Sequence, residues 1–237
     1  MAGTGTTRFG HGGRNTMTAG PLGIFGGVFD PVHFGHLRTA LEVRELVGMD
    51  DMRMVPCRIP PHRDAPIASP QDRAAMLRIG IRGCEGLHLD ERELQREGPS
   101  YMVDTLSSIR EEEGDRPLCL VLGEDSFAGL YLWHHWQQIP KLCHLVVMTR
   151  PVDPRPTPPE LRGLVEEHLA EDRASLCERP AGLVLPIKVT ALGISATRIR
   201  VLLHRESDAR YLLPEAVLNY ILEKGLYGIK SEYGQTG

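Results

Sequence analysis

Apolar residues in this chain come in short dense runs separated by amphipathic stretches. The runs Leu22–Phe25, Met52–Cys57, Leu118–Leu122, His144–Met148 and Leu183–Val189 are too short for helices and are bounded by turn residues, so each predicts a strand. Helical spacing of apolar positions fills most of the intervals. Strand–helix alternation of this kind predicts an α/β protein, a Rossmann-like open parallel sheet with helices on both faces. Right-handed crossovers would bring the loops after the strands to one edge, where such sheets bind ligands.

The pattern also sets the expected boundaries. Residues 1–20 are rich in Gly and Thr and poor in apolar residues, which predicts a disordered extension, with Met17 a candidate start. A single domain is expected over residues 21–228, with a tail at 229–237. The proline run from Arg150 to Pro159 breaks the pattern and reads as an excursion within that domain. Glu111, Glu112 and Glu113 read as a solvated helix end.

Composition changes this picture little. The 237 residues suffice for one substantial core. The five cysteines, Cys57, Cys84, Cys119, Cys143 and Cys177, form no C-x-x-C pair, which predicts reduced thiols in a cytoplasmic protein. A net charge of −4 argues against a nucleic-acid binder, and no apolar run reaches the roughly 20 residues that span a bilayer. Small anionic ligands need only a local pocket. A homo-oligomer is compatible with everything so far.

The candidate chemistry starts at Gly26-Gly27-Val28-Phe29-Asp30-Pro31-Val32-His33-Phe34-Gly35-His36. It lies between the first strand and a helical pattern. Two glycines let backbone N–H groups approach a ligand, and a helix start offers free N–H groups and partial positive charge to an anion. His33 and His36 fall three apart, on one face of the helix's first turn, able to hydrogen-bond or carry charge toward that anion. A plain turn and a zinc site remain open at this point, although zinc helices usually space their histidines by four with an adjacent Glu.

A second anion site is predicted at Ser195-Ala196-Thr197-Arg198-Ile199-Arg200. Ser195 is placed to cap a helix running through Leu203, with Thr197 and Arg198 adding donors. An ordinary capped helix is the alternative.

Together the two segments, G-G-x-F-D-P-x-H-x-G-H and I-S-x-T-x-I-R, resemble the nucleotidyltransferase superfamily. Pro60-Pro61-His62-Arg63, the run from Ser100 to Leu106, Gly123-Glu124-Asp125 with Trp133, and Tyr220-Ile221 with Leu226-Tyr227 narrow the resemblance to the bacterial nicotinate-nucleotide adenylyltransferases, over residues 22–228. The resemblance implies a nucleotidyltransferase-type sheet and transfer of the adenylyl group of ATP to nicotinate mononucleotide, giving nicotinate adenine dinucleotide and pyrophosphate in NAD biosynthesis. It implies that Gly26, Gly27 and Phe29 shape the ATP pocket. His33 and His36 would contact the triphosphate, with Ser195, Thr197 and Arg198 holding it from the other side. Catalytic roles would fall to His33, His36 and Arg198. Arg63, Tyr101, Asp104, Asp125, Trp133 and His134 would form the mononucleotide site. Mg2+ would ride on the ATP phosphates, with no protein metal ligand.

Four positions depart from the family pattern. Val28, Met102 and Ala196 each stand where a hydroxyl is common, and His134 stands where Tyr is frequent. Met102 removes an expected contact to the mononucleotide phosphate. Nicotinamide mononucleotide or phosphopantetheine as acceptor, and a non-catalytic nucleotide-binding regulator, are the competing readings. A class I aminoacyl-tRNA synthetase shares the histidine pair, but neither a tRNA-binding module nor a basic surplus accompanies it here.

Overall fold

The computed structural model describes residues 20–61, 65–149 and 156–228. Residues 1–19 of the expected extension, the tail, Arg63 and residues 150–155 of the proline run lie outside the described residues. The six strands are β1 (Leu22–Gly27), β2 (Asp51–Pro56), β3 (Leu87–Leu89), β4 (Leu118–Gly123), β5 (His144–Thr149) and β6 (Val184–Lys188). They form one parallel sheet in the order β3-β2-β1-β4-β5-β6. The helices are α1 (Phe34–Val47), α2 (Pro70–Gly80), α3 (Arg92–Gln95), α4 (Met102–Glu113), α5 (Glu124–Ala128), α6 (Ile139–Leu142), α7 (Pro159–His168), α8 (Ala196–His204) and α9 (Glu215–Glu223).

Alternation along the strands explains why both faces are covered. Leu118, Leu120 and Leu122 of β4 point into one core with Val103, Leu106 and Ile109 of α4, while Cys119 and Val121 point into the other. That second core receives Leu37, Ala40 and Val43 of α1, Met76 and Leu77 of α2, Ile199 of α8 and Val217 of α9. A strand buried on both faces reads as a continuous apolar run, which is why β4 and β5 were visible in the sequence.

The strand β3 was not expected. It has three residues at the sheet edge, with only Leu87 buried, so it carries neither a run nor a pattern. Of the three glutamates after Arg110, Glu111 and Glu112 are exposed, as a solvated helix end requires, while Glu113 is half-buried. Glu112 and Glu113 pair with Arg53, and Glu112 reaches Arg92 at 2.8 Å, so the end of α4 is tied by charge to the edge of the sheet.

The sheet opens where its strand order reverses. β1 pairs with β2 as far as Gly27 opposite Pro56, but with β4 only as far as Ile24 opposite Leu120. The carboxyl ends of β1 and β4 therefore diverge, leaving a crevice at the topological switch point where open α/β sheets bind ligands.

Candidate active site

The segment leaving β1 is held rigidly from below. Phe29 adopts φ 50° and is 1% exposed, its ring edge-on to Phe25 and to His36. A Cβ on Gly27 would lie 2.9 Å from that ring, so the second glycine makes room for Phe29. Asp30 is buried, and its carboxylate accepts hydrogen bonds from the backbone N–H of Ile67 (2.8 Å) and Ala68 (3.2 Å) and from the Tyr227 hydroxyl (2.7 Å). Burial and the Asp30 carboxylate both push the Tyr227 phenol well above its usual range, so it stays a donor.

His33 precedes α1 rather than lying in its first turn: it is the N-cap, with extended backbone and no side-chain cap bond. Its ring stacks on His36 with centroids 3.8 Å apart. Both Nδ1 atoms are buried without a hydrogen-bond partner among the described residues. Burial lowers His33 to about 4. It lowers His36 to about 3, with the neighbouring His33 adding to the effect. Of the two roles open to these rings, hydrogen-bonding or carrying charge, burial in the free protein favours the first, because a stacked, desolvated pair disfavours protonation of either. A neutral imidazole still donates one hydrogen bond.

Gly35 is dictated by this pair. A Cβ there would sit 2.9 Å from both Cε1 and Nδ1 of His33, and His36 blocks the ring's retreat. Gly35→Ala is expected to lower kcat at least tenfold by displacing the imidazole, with a smaller effect on the melting temperature, since the roughly 1 kcal/mol by which Ala favours a helix over Gly offsets part of the cost of the displacement. Parallel melting and turnover measurements check this; unchanged turnover would refute the constraint.

The start of α8 faces the start of α1. Ser195 caps α8, its hydroxyl oxygen accepting from the Arg198 N–H at 3.2 Å. A Cβ on Gly35 would lie 3.5 Å from the Ile194 carbonyl, and the Phe34 N–H donates to the Leu212 carbonyl at 3.0 Å. Gly193, Ile194, Ser195, Arg198 and Leu212 line a cleft of about 210 Å3. Thr197 and Arg198 are exposed. Arg200 is bound into the motif: it donates to the Asp30 carbonyl at 2.7 Å and to Thr197 Oγ1 at 3.3 Å. Arg200 closes the motif I-S-x-T-x-I-R, and it, not the exposed Arg198, is the arginine tied to the first motif.

On the other side of the crevice, Tyr101 immediately precedes α4 and stacks on His134, centroids 4.2 Å apart. Met102 folds toward β1, and a Cβ on Gly26 would meet its Cε at 2.6 Å. Trp133 is half-buried against the core that contains α4, while Asp104 and Asp125 are exposed. Met102 thus adjoins the first motif at Gly26, and its chain neighbour Tyr101 brings His134 with it.

A larger hollow of about 700 Å3 lies elsewhere, beside β3, lined in part by Arg53, His88, Asp90, Arg92 and Glu112. Arg53 and Arg92 are paired there with Asp90 and Glu112. Neutralised cations do not make an anion site, and none of the motif residues reaches it. No described helix is long and apolar enough to cross a membrane.

A parallel sheet split at its switch point, with two helix starts converging on it, fits a nucleotidyltransferase of the α/β class. Residues 24–202 match the family described as cytidylyltransferase-like. A protein of Methylococcus capsulatus named "Probable nicotinate-nucleotide adenylyltransferase" is 49% identical over 207 residues, 87% of this chain and 99% of its own. One of the same name from Pseudomonas putida is 47% identical, covering 87% of this chain and 94% of its own. The chain belongs to the nicotinate-nucleotide adenylyltransferase family. In fold it is similar to the solved structure of Plasmodium falciparum nicotinic acid mononucleotide adenylyltransferase complexed with NaAD, with a TM-score of 0.69, 17% identity, and coverage of 90% of this chain and 100% of that one.

Proposed function

We propose that this protein transfers the adenylyl group of ATP to nicotinate mononucleotide, releasing pyrophosphate. The observation that carries the reading is the stacked His33–His36 pair opposite the Ser195-capped start of α8, at the point where β1 and β4 separate. ATP lies along the first motif and the cleft at Ser195, its phosphates between the two helix starts. The mononucleotide lies toward Tyr101, Trp133 and His134.

An oxygen of the mononucleotide phosphate attacks the α-phosphorus of ATP. One P–O bond forms, the bond to the bridging oxygen breaks, and pyrophosphate leaves with that electron pair. A phosphate monoester is anionic near neutral pH, its second pKa being about 6, so no general base is needed. The protein's task is to align two anions that repel each other and to neutralise charge building on the leaving group. His33 and His36 donate hydrogen bonds to the phosphates, and Arg198 at the cleft mouth meets the departing pyrophosphate. Arg200 steadies the Asp30 turn beneath them. Among the described residues no group of three His, Cys, Asp or Glu side chains converges; imidazole, hydroxyl and guanidinium donors suit a phosphate chain that brings its own Mg2+. That ion, when bound with ATP, supplies further charge neutralisation.

The test is pyrophosphate release from ATP and Mg2+ with nicotinate mononucleotide, nicotinamide mononucleotide or phosphopantetheine as acceptor. Nicotinate mononucleotide is expected to give the highest kcat/KM. ATP binding without pyrophosphate from any of the three would instead support a nucleotide-binding regulator.

A further inference from the structure

Arg73 is a fully buried arginine in α2 whose guanidinium donates to backbone carbonyls. Nη1 donates to the carbonyl of Val28 at 2.8 Å, Nη2 to that of Arg58 at 3.2 Å, and Nε to that of Ala68 at 3.4 Å. Val28 and Arg58 are the continuations of β1 and β2. The ladder between those strands closes with the Cys57 N–H on the Gly27 carbonyl at 3.0 Å. One residue further on, the chains separate and the guanidinium takes over the link.

From Arg58 the connection continues across the crevice. The Arg58 N–H donates to Ser100 Oγ at 2.8 Å, and the Ser100 N–H donates to the Ile59 carbonyl at 3.0 Å. Ser100 leads into Tyr101, stacked on His134, and Met102, whose methyl covers Gly26. The route from Val28 through Arg73, Arg58 and Ser100 to Met102 thus returns to Gly26, two residues from where it began. It is a closed ring around the junction of the two half-sites.

Given the adenylyl transfer proposed above, we propose that Arg73 is a positioning residue for it, setting the distance between the loop that carries ATP and the helix start that carries the acceptor. Its planar fork is the feature that matters. A guanidinium donates along several fixed directions at once, whereas an ammonium is a single point that cannot hold two separated carbonyls. Each substrate contacts only its own side of the ring, so loosening the ring leaves binding nearly intact and spoils the approach of the acceptor oxygen to the α-phosphorus. A misplacement of about 1 Å costs on the order of 100-fold in rate.

The experiment compares Arg73→Lys with the parent in steady-state pyrophosphate release, normalised to folded protein from thermal melts. The expected result is a fall in kcat of about thirtyfold with KM for ATP and for nicotinate mononucleotide each within about threefold of the parent. Ser100→Ala opens the same ring on its far side without a buried charge change. It is expected to lower kcat about fivefold at unchanged KM, and less than multiplicatively when combined with Arg73→Lys. A folded Arg73→Lys with kcat within twofold of the parent overturns the role, as does a loss confined to KM. Should Arg73→Lys not fold, Ser100→Ala with parental kcat overturns it. A parent that releases no pyrophosphate overturns the reaction itself, and the role with it, which separates the two failures.

Discussion

His36→Ala is expected to lower kcat/KM for adenylyl transfer by 100-fold or more, about 2.7 kcal/mol of transition-state stabilisation, the usual effect of removing one preorganised donor from a dry site. His36 is the third residue of α1, in the first turn, where the helix start offers partial positive charge. Phe29 fixes its ring from one side and His33 from the other, so the donor needs no reorganisation when charge develops on the phosphates. The effect divides unevenly between the kinetic constants. A hydrogen bond to phosphates that are already charged in bound ATP contributes to KM, and the part that strengthens as the bridging bond breaks contributes to kcat. The larger change is expected in kcat. His36→Gln, which keeps an N–H donor, is expected to recover part of the loss. Turnover within about twofold of the parent in His36→Ala would remove the imidazole from the mechanism, since a lost electrostatic donor costs orders of magnitude.

The contrast between the position of His36 and its charge shows what a sequence makes legible. Position follows from pattern: an apolar run, two glycines and a helical period place the histidines at a strand-to-helix junction, as found for β1 and α1. Charge follows from desolvation, which depends on what packs against the ring. Nothing near His36 in sequence reveals that His33 will turn back to stack on it. Arg73 is the stronger case. An arginine in an amphipathic helix reads as solvent-facing, and its burial depends on carbonyls from residues 28 and 58, which no local pattern connects. The stack of Tyr101 on His134 spans two elements in the same way. Arg200 is different: the motif contains it, but which of Arg198 and Arg200 turns toward the Asp30 loop is set by the burial of Ile199 and Leu203, which fixes the rotation of α8.

The buried histidines also make stability depend on pH, in a direction the shifts dictate. His33 and His36 are held near 4 and 3 in the folded chain against 6.5 when unfolded. Below about pH 6.5 the unfolded chain takes up protons that the folded chain refuses, so unfolding becomes more favourable as pH falls, down to the folded values. His144 adds to the same trend. Its Nδ1 accepts from the Leu183 N–H at 3.0 Å and its Nε2 reaches the Arg179 carbonyl at 2.9 Å, a neutral tautomer that protonation would set against a donor. Glu93, raised by burial, works in the opposite direction, but nearer the carboxylate range. Between pH 7.5 and pH 5 the stacked pair is expected to remove on the order of 4 kcal/mol of stability. That is a large share of the roughly 5–15 kcal/mol that holds a typical domain together. ATP reverses the local electrostatics. Its phosphates favour imidazolium, so the rise in melting temperature on adding ATP is expected to be larger at pH 5.5 than at pH 7.5. Thermal melts across this range, with and without ATP, are the measurement, and His36→Gln is expected to flatten both trends. A melting temperature independent of pH from 7.5 to 5, or an ATP shift that does not grow on acidification, would mean that the pair is hydrated or already charged in the free protein. The phosphates would then meet cations in place of neutral donors.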